Sequence, residues 1–440
     1  MIHVQRKFSV HLKDQLKAQL EEMELTGVIQ KVQEPTDWVN SMVCIMKGDG
    51  TLRVCIDPKD LNKAIKRCHH KTPTLEELTH KLTGATVFSK LDAKNGYWSV
   101  ELDESSSLLT TFNTPFGRYR YLRMPFGLVM SQDVFQRKMD QILEECPGTI
   151  GIADGVAVFG KNEAEHDINL HHLLAVAKKH GLTFNSKKCA IKQQAIRFYG
   201  VTYNHDGAHP DPDKVAAIKG MAKPTSQKEL QEFIGVVTYM SPFMSKLSDA
   251  TEPLRSLLKK DAEFFWTSSH DAAFQRVKNL ICKETTLAYF DPKKPTRVQV
   301  DASQKGLGAA LVQDGQPIAF ASKSLSEVEQ RYANIERELL AVVFGCERFH
   351  TYLFGRPFVV ESDHKPLEMI HLKNLGAAPP RLQRMLMRLQ NYDLNIEYKP
   401  GKEMLLADGL SRLPPAENSH IELDLQVHLV HLEEVAPSSC

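Results

Sequence analysis

The chain has 440 residues, of which 42% are hydrophobic and 25% are charged, and its net charge at pH 7 is +1. This length predicts roughly two to four domains, and the composition is that of a globular protein and excludes a disordered chain. A net charge this close to zero also excludes a uniformly basic surface, so any basic footprint for nucleic acid has to be local.

The sequence carries no signal for export or membrane insertion. No apolar run reaches bilayer-spanning length, and the first residues, MIHVQRK, lack a signal-peptide core. We therefore expect a location inside the cell, in the cytoplasm with the nucleus as the alternative, and no membrane partner. Eight cysteines without a CxxC pair favour neither a disulfide framework nor a zinc site, and Cys68-His69-His70 is predicted to be a surface loop.

The first predicted elements are a helix and a hairpin. Leucines at helical spacing predict an amphipathic helix over residues 12–27. Two β-rich runs, 38–47 and 52–57, are joined by a Gly-Asp-Gly turn. Lys47 and Arg53 flank this turn, where two cations are either solvated strand ends or a clamp for a polyphosphate.

The next stretch combines a carboxylate with aromatic and basic residues. Asp92 closes an apolar strand, and Tyr97 follows at a bend. Aromatics alternate with arginines over residues 111–128, which suits either a base-stacking surface or an ordinary strand core. A helix is predicted over residues 131–143.

A short hairpin is predicted over Gly151–Gly160. Asp154-Gly155 lies at its middle, and Asp-Gly between β-rich residues is a strong signal for a primed turn. Taken alone, this pattern is equally that of a plain turn in a globular sheet. Beyond it we expect a helix over 168–180, a strand over 198–203, and a largely helical segment over 225–291 that contains no motif with evident chemistry.

Acidic residues recur where elements begin or end in the last third of the chain. Asp301 ends a strand that opens a β-meander, Glu336 and Glu338 lie in a helix, Asp363 ends a further strand, and Asp408 lies near a final helix. Each residue alone is explained by solvation or capping. Together they are harder to explain by solvation and capping alone.

Several motifs of the first half occur in a fixed order. They are Lys47 to Arg53, Phe88-Ser89-Lys90-Leu91-Asp92, Met124-Pro125-Phe126-Gly127, Phe135-Gln136 and Val158-Phe159-Gly160. Their order and spacing resemble the reverse transcriptases of gypsy-class long-terminal-repeat retrotransposons, and the resemblance runs from about residue 10 to residue 413.

The resemblance implies an α+β chain with a right-hand polymerase followed by a ribonuclease H-like domain. The fingers and palm are expected over residues 1–222 and a mainly helical thumb or tether over 223–292. An α/β ribonuclease H-like domain with a mixed sheet is expected over 293–413, and an acidic tail over 414–440. We also expect the chain to be a segment of a longer polyprotein.

In the palm, the resemblance assigns two Mg²⁺ ions, with Mn²⁺ as the alternative, to Asp92 and Asp154. Lys47, Arg53 and Tyr97 match nucleotide-binding positions, Tyr97 being the one that screens the 2′ carbon of the sugar. The family's hairpin reads Tyr-x-Asp-Asp, whereas this chain has Ile152 and Gly155 in the first and last places. Because one carboxylate is lost, we expect polymerase activity to be absent or severely weakened, and Gly155→Asp to raise it.

In the last third, Asp301, Glu338, Asp363 and Asp408 match the four carboxylates of the family's ribonuclease H domain. Glu338 rather than Glu336 is assigned because it directly precedes a Leu-Leu-Ala run. The resemblance implies that these acids hold two Mg²⁺ ions that activate water to cut RNA, giving a 3′-hydroxyl and a 5′-phosphate.

Arg381, Arg384 and Arg388 form a basic stripe opposite a leucine face. The stripe is either a solvated face or a track for the backbone of an RNA–DNA hybrid. Three hypotheses therefore follow: a ribonuclease H with a crippled polymerase, which we favour; a polymerase that tolerates Gly155; and a catalytically dead binding remnant. The expected partners are an RNA–DNA hybrid, an RNA template and a DNA primer, with dNTP if the polymerase works, and the sequence predicts no oligomeric state.

Overall fold

The computed structural model describes residues 1–405, apart from 4–5, 7, 47–49, 260–261, 283–285 and 372–377. The predicted tail therefore lies outside the described residues. The chain forms two compact units. The first comprises Met1–Ala208 with Tyr289–Asp291, and the second comprises His209–Ala288 and the chain from Pro292 onward. Among the described helices, none is both long and apolar enough to cross a membrane.

The first unit combines short helices with antiparallel strands. Its helices are α1 (Lys13–Leu25), α2 (Lys59–Ala64), α3 (Leu75–Thr79), α4 (Glu104–Leu109), α5 (Ser131–Glu144) and α6 (Glu163–Lys179). Its strands are β1 (Ile29–Val32), β2 (Ser41–Met46), β3 (Leu52–Asp57), β4 (Val87–Asp92), β5 (Phe112–Thr114), β6 (Gly117–Tyr121), β7 (Thr149–Ile152), β8 (Gly155–Gly160), β9 (Ala190–Gln193), β10 (Ile196–Phe198) and β11 (Val201–Asn204). Strand β12 (Gly207–Pro210) completes the small sheet β10-β11-β12.

A four-stranded sheet in the order β7-β8-β4-β9 carries the first candidate site. Its core joins strand residues such as Leu91 and Val156 to Met139 of α5 and Leu173 of α6. Burying the apolar faces of two helices fixes the strand register, because a slip of one residue would turn the apolar side chains outward. The end of β4 and the β7–β8 turn therefore lie at one edge.

The predicted N-terminal helix and the first hairpin are both confirmed. Leu16, Leu20 and Met23 are buried on one face of α1, which lies in a cluster with Val54 of β3 and Tyr121 of β6. Strands β2 and β3 pair antiparallel, as the flanking turn residues predict. The apolar periodicity was enough to identify the helix, and the turn residues were enough to identify the hairpin.

The predicted single strand over 198–203 is wrong. Strand β10 ends at Phe198, and the chain turns back through Tyr199 and Gly200, with φ of +47° and +68°, before β11 begins. A bulky residue with a positive φ is uncommon, so no residue pattern signals this turn. The turn places the Tyr199 ring beside the β7–β8 hairpin.

The second unit contains a helical segment and a five-stranded sheet with its own helices. The helices are α7 (Pro212–Gly220), α8 (Gln227–Tyr239), α9 (Leu247–Ser256), α10 (Ser268–Ile281), α11 (Glu327–Gln330), α12 (Asn334–Arg348), α13 (His350–Leu353), α14 (Pro366–His371) and α15 (Pro380–Leu389). The strands are β13 (Arg297–Ala302), β14 (Gly306–Gln313), β15 (Gln316–Ser324), β16 (Phe358–Ser362) and β17 (Leu394–Tyr398).

The five-stranded sheet has the order β15-β14-β13-β16-β17 and is mixed, as predicted. Strands β13, β14 and β15 form the predicted antiparallel meander, while β16 runs parallel to β13 and to β17. Helix α12 packs closely on this sheet, since a Cβ added at Gly345 would lie 3.1 Å from Val300 Cγ1. Because β13 and β16 are parallel neighbours, the residues that follow them meet at the same edge of the sheet.

Glu361 ties these parallel strands together. This residue of β16 is buried, and it accepts hydrogen bonds from Gln299 Nε2 at 2.8 Å, Arg297 at 2.8 Å and Lys399 Nζ at 2.9 Å. Burial would raise the pKa of Glu361, but the hydrogen bonds from Lys399 and Gln299 outweigh it, so the pKa lies below its ordinary value.

We predict that Glu361→Gln lowers the free energy of unfolding at pH 7 by about 2–3 kcal/mol, the range for hydrogen bonds to a charged group. Since its pKa is lowered in the folded state, the contribution of Glu361 is complete above about pH 4.3 and is lost as the pH falls through the folded-state pKa. Urea unfolding from pH 7 to pH 3 measures both effects. The control is Glu397→Gln, which removes a half-exposed partner of the same Arg297 and should cost under about 0.5 kcal/mol. Equal losses for both variants would contradict the prediction.

Candidate active sites

The predicted hairpin at the palm site is confirmed, but its centre lies one residue earlier than expected. Ile152 pairs with Gly155, so Ala153 and Asp154 are the two central residues and Gly155 is the first residue of β8. Ala153 takes a φ of +48°, and its N–H donates to Gln136 Oε1 at 2.8 Å. The hydrogen bond from the turn to α5 holds Asp154 at the edge of the sheet.

The two palm carboxylates are brought to the same place. Asp92 pairs with Gly155 in register, and the N–H of Ala93 donates to the backbone oxygen of Asp154 at 2.7 Å. Lys188 Nζ lies 3.3 Å from Asp92 Oδ2. Asp154 is exposed and Asp92 is half-buried, so the pair faces outward from the edge of the sheet.

The position that lacks the second Asp is filled by an aromatic ring. A Cβ added at Gly155 would lie 3.0 Å from Tyr199 Cε2 and 3.2 Å from Phe198 Cε2. The Tyr199 hydroxyl donates to the Ile152 carbonyl oxygen, which fixes the ring there. Burial raises the pKa of Tyr199, and the charge of Asp154 adds to this effect. A side chain at position 155 therefore needs Tyr199 to move.

The predicted nucleotide-binding residues are only partly described. The Tyr97 hydroxyl donates to Gln132 Oε1 at 2.7 Å, and its ring centroid is 4.8 Å from that of Phe126. The Arg53 guanidinium lies over the same Phe126 ring, 5.1 Å from its centroid. Lys47 lies outside the described residues. Tyr97, Phe126 and Arg53 thus form one continuous group beside the palm hairpin.

The second candidate site centres on a buried glutamate. Glu338 in α12 is 5% exposed, and its Oε2 has no hydrogen-bond partner among the described residues. Burial raises the pKa of Glu338 to about 8, with further contributions from the charges of Asp363 and Asp301. Three acids therefore converge where α12 crosses the sheet.

Glu336 has a different role from Glu338. Its side chain accepts from the N–H of Ala333 at 3.0 Å and pairs with Arg381 at 2.8 Å. This is the arrangement of a helix-capping carboxylate. The assignment of Glu338 rather than Glu336 to the site thus agrees with the contacts of both residues.

Asp301 and Asp363 follow parallel neighbouring strands. Asp301 is the fifth residue of β13 and Asp363 comes directly after β16, so both lie at the edge where Glu338 points. Lys246 Nζ lies 2.7 Å from Asp301 Oδ2. Asp408 lies outside the described residues.

The donor set fits a divalent cation. A buried carboxylate oxygen without a partner, flanked by two further carboxylates, offers the hard oxygen ligands that Mg²⁺ and Mn²⁺ bind. Within the described ranges, no three His, Cys, Asp or Glu side chains are arranged as they stand to hold one metal ion.

The arginine stripe lies on α15 as predicted, with its leucine face buried. Two of its members make ion pairs with α12. Arg381 binds Glu336 and stacks over the Tyr332 ring at 4.1 Å, and Arg388 binds Glu347 through two hydrogen bonds. These contacts join two helices, while Arg384 is exposed. A role of the stripe in binding nucleic acid stays a prediction.

Comparison with known families matches both sites to described domains. The family "Reverse transcriptase (RNA-dependent DNA polymerase)" matches residues 45–203, which include Asp92 and Asp154. The family "RNase H-like domain found in reverse transcriptase" matches residues 266–360, which include Asp301 and Glu338. The two matches follow one another in the order expected from the motifs.

Curated relatives are Pol polyproteins of transposons. The chain is 34% identical over 433 residues to the retrovirus-related Pol polyprotein from transposon 297 of Drosophila melanogaster, covering 96% of this chain and 41% of the relative. It is 30% identical over 378 residues to the transposon Tf2-7 polyprotein of Schizosaccharomyces pombe, covering 84% and 28%. This chain carries a reverse transcriptase domain and an RNase H-like domain and is similar to retrotransposon Pol polyproteins. It spans less than half the length of these relatives.

Solved structures show that the fold is that of a retroelement reverse transcriptase. The foamy viral protease-reverse transcriptase dRH in complex with ds DNA matches with a TM-score of 0.82 at 20% identity, covering 90% of this chain and 71% of that chain. The foamy viral protease-reverse transcriptase in complex with an RNA/DNA hybrid matches with a TM-score of 0.75 at 20% identity, covering 96% and 57%. The predicted fold class, a right-hand polymerase followed by a ribonuclease H-like domain, is confirmed.

Two residues of this reverse transcriptase chain that the sequence did not reveal lie at its sites. Tyr199 reaches the palm hairpin only because the chain reverses after β10. Lys246 precedes α9, in the segment where the sequence contains no motif with evident chemistry, and its ammonium contacts Asp301. No local pattern marks either residue, since both contacts depend on tertiary packing.

We predict that Glu338→Gln makes the metal-free chain more heat-stable at pH 9, by roughly 5 °C, because it removes a buried carboxylate without a partner. The raised pKa sets the sign: the folded state holds the Glu338 proton up to about pH 8, whereas the unfolded chain releases it at about pH 4.3, so stability falls across that window and levels off above it. Thermal melts at pH 4 and pH 9 with EDTA measure this, and the difference between variant and wild type should nearly vanish at pH 4. Added Mg²⁺ should stabilise the wild type more than the variant. Glu336→Gln, on the same helix, is the control; a pH-independent gain for Glu338→Gln would contradict the prediction.

Proposed function

We propose that this chain is the reverse transcriptase and ribonuclease H segment of a gypsy-class long-terminal-repeat element and that it cleaves the RNA strand of RNA–DNA hybrids. The observation that carries the proposal is the partnerless Glu338 oxygen between Asp301 and Asp363. A buried carboxylate of this kind destabilises the fold, and it is expected where a cation binds. The proposed metal is Mg²⁺, with Mn²⁺ as the alternative.

The acids would share the work of holding the metal ions. Two bound divalent ions supply an activated water and neutralise the charge that develops on the leaving oxygen. Asp301 and Asp363 present carboxylates at the solvent-accessible edge of the sheet, while Glu338 holds its oxygens in a drier position behind them. This rigid placement on α12 and two parallel strands orients the site before substrate binds. Asp408 is proposed as the fourth acid by resemblance.

A hybrid substrate is supported by the surroundings of the site. Two of the foamy viral structures that share the fold were solved with nucleic acid, one of them with an RNA/DNA hybrid. Arg384 is exposed on α15, whose neighbours Arg381 and Arg388 hold that helix against α12. We propose that Arg384 contacts the phosphate backbone, which any sequence of hybrid presents.

Polymerase activity is proposed to be absent or very weak. Asp92 and Asp154 lie at one edge of the sheet, but Gly155 stands where the resemblance has the third carboxylate, and the Tyr199 ring lies against that position. A functional polymerase, acting on an RNA template, a DNA primer and dNTP, is the second candidate. It is favoured by the strand register that sets Asp92 against Gly155 and so keeps both remaining acids together.

We predict that the chain cleaves the RNA of a labelled RNA–DNA hybrid in Mg²⁺ and that Asp301→Asn lowers the rate at least roughly 100-fold, since a metal ligand contributes several kcal/mol. Gel analysis of the RNA products measures the rate. Asp314→Asn is the matched control, because Asp314 lies in the β14–β15 turn of the same sheet and pairs with Lys294 at 2.8 Å. Hybrid binding without cleavage by the wild type would instead favour the binding remnant.

A second prediction concerns the palm hairpin. The sequence alone leads us to expect that Gly155→Asp raises activity, but in the structure this variant alone should restore little primer extension, because its Cβ meets the Tyr199 ring, which the hydrogen bond to Ile152 holds in place. The double variant Gly155→Asp/Tyr199→Leu should exceed the single variant at least roughly ten-fold, the scale of relieving such overpacking. Extension of a DNA primer on an RNA template with dNTP measures this.

Tyr199→Leu alone is the control and should stay inactive, since it adds no carboxylate. Robust synthesis by the wild-type chain would overturn the proposal of a weak polymerase. Equal activity of the single and double variants would show instead that Tyr199 is free to move.

A further inference from the structure

The nuclease site already contains a cation of its own. Lys246 Nζ lies 2.7 Å from Asp301 Oδ2, and the two side chains are 25% and 27% exposed. Lys246 belongs to the helical segment that precedes the ribonuclease H-like sheet in sequence, 55 residues before Asp301. An ammonium in contact with a carboxylate neutralises the charge that a metal ion would otherwise bind.

The position of Lys246 is fixed by the way α9 packs on the sheet. Lys246 is the N-cap residue of α9 and has a φ of +56°. Two residues later, the N–H of Ser248 donates to Ser322 Oγ on β15 at 3.1 Å. One turn further, Glu252 pairs with Lys305 at 2.8 Å. The helix is thus attached to the sheet independently of the Lys246 contact.

Close packing at β14 also holds the start of α9. A Cβ added at Gly306 would lie 2.2 Å from Asp249 Oδ1 and 2.7 Å from Ser248 Oγ, so only glycine allows this approach. Ser303 Oγ donates to Asp249 Oδ1 at 3.0 Å. The first turn of α9 therefore lies against the loop that follows Asp301.

Asp249 offers the ammonium a second acceptor. Its carboxylate interacts electrostatically with both Lys246 and Asp301. The lysine stem has four rotatable bonds and its ammonium is a compact charge, so it can change partner without moving the backbone. A metal ion arriving at Asp301 would repel the ammonium, and the nearby charge of Asp249 would still attract it.

We propose that Lys246 is a positioning residue of the nuclease site that competes with a divalent metal ion for Asp301 and thereby sets the metal concentration at which the site fills. The inference rests on the proposed function, because it requires Asp301 to be a metal ligand. The ammonium keeps Asp301 in place while the metal is absent, and each binding event has to break the Lys246–Asp301 ion pair.

The test is a calorimetric titration of the full chain with Mg²⁺, and with Ca²⁺ as a second probe. All proteins carry Asp92→Asn and Asp154→Asn, so that heat from the palm does not contribute. Lys246→Met should lower the dissociation constant roughly five-fold, since the metal no longer has to displace an ion pair of this exposure. Lys246→Arg keeps the charge and should bind like the parent.

The matched control is Lys305→Met, which removes the neighbouring Lys305–Glu252 ion pair on the same α9 contact but leaves Asp301 untouched. Its dissociation constant should equal that of the parent. Melting curves check that each variant unfolds cooperatively, and Lys246→Gln replaces Lys246→Met if the methionine variant does not.

Equal dissociation constants for Lys246→Met, Lys305→Met and the parent would overturn the inference. Asp301→Asn separates this failure from failure of the proposed function. If Asp301→Asn abolishes the heat of binding while Lys246→Met changes nothing, only the role of Lys246 is wrong. If Asp301→Asn also leaves binding unchanged, Asp301 is no metal ligand and both proposals fall.

Discussion

The burial of one carboxylate beside two others is the constraint on which the second unit depends. Glu338 is buried beside Asp301 and Asp363, and its desolvation, together with repulsion from their charges, raises its pKa to about 8. The fold tolerates this cost because α12 is fixed by close packing on β13 and by ion pairs to α15. An apolar side chain at 338 would be cheaper for folding alone, and this cost is a reason to propose that Glu338 holds a cation.

The two candidate sites differ in how many carboxylates remain when one of them is paired with a lysine. In the palm, Lys188 lies on Asp92 and leaves Asp154 as the uncompensated carboxylate of the pair. In the proposed nuclease site, Lys246 pairs with Asp301, which leaves Glu338 and Asp363 as the two other carboxylates. Binding dications against hydration requires several anionic ligands, so the loss of one acid matters more at the palm, where fewer were present. The palm lacks the charge of the third carboxylate, and the Tyr199 ring beside Gly155 also leaves little room for a side chain there.

Features set by local pattern were predictable from the sequence, and features set by distant contacts were not. The apolar periodicity located α1 and α12 and the turn residues located the β2–β3 hairpin, because each signal lies within one segment. The α15 pattern likewise identified its buried face, but it could not show that Arg381 and Arg388 would pair with acids of α12. Resemblance supplied the acids of both sites, and neither pattern nor resemblance pointed to Tyr199 or Lys246.

The Lys246 contact gives a reason why a helical segment outside the sheet would affect the proposed nuclease site. The Lys246 ammonium reaches Asp301 only while α9 packs on β14 and β15, and this packing depends on the Ser248 hydrogen bond and on the close approach that Gly306 allows. A change in that packing would alter the charge at Asp301 without touching any acid of the site. Metal affinity would then follow the packing of α9, because an ion pair at a ligand and a metal at that ligand exclude one another. Under our proposal, the helical segment therefore influences the nuclease site through the charge of Lys246, although it supplies no ligand.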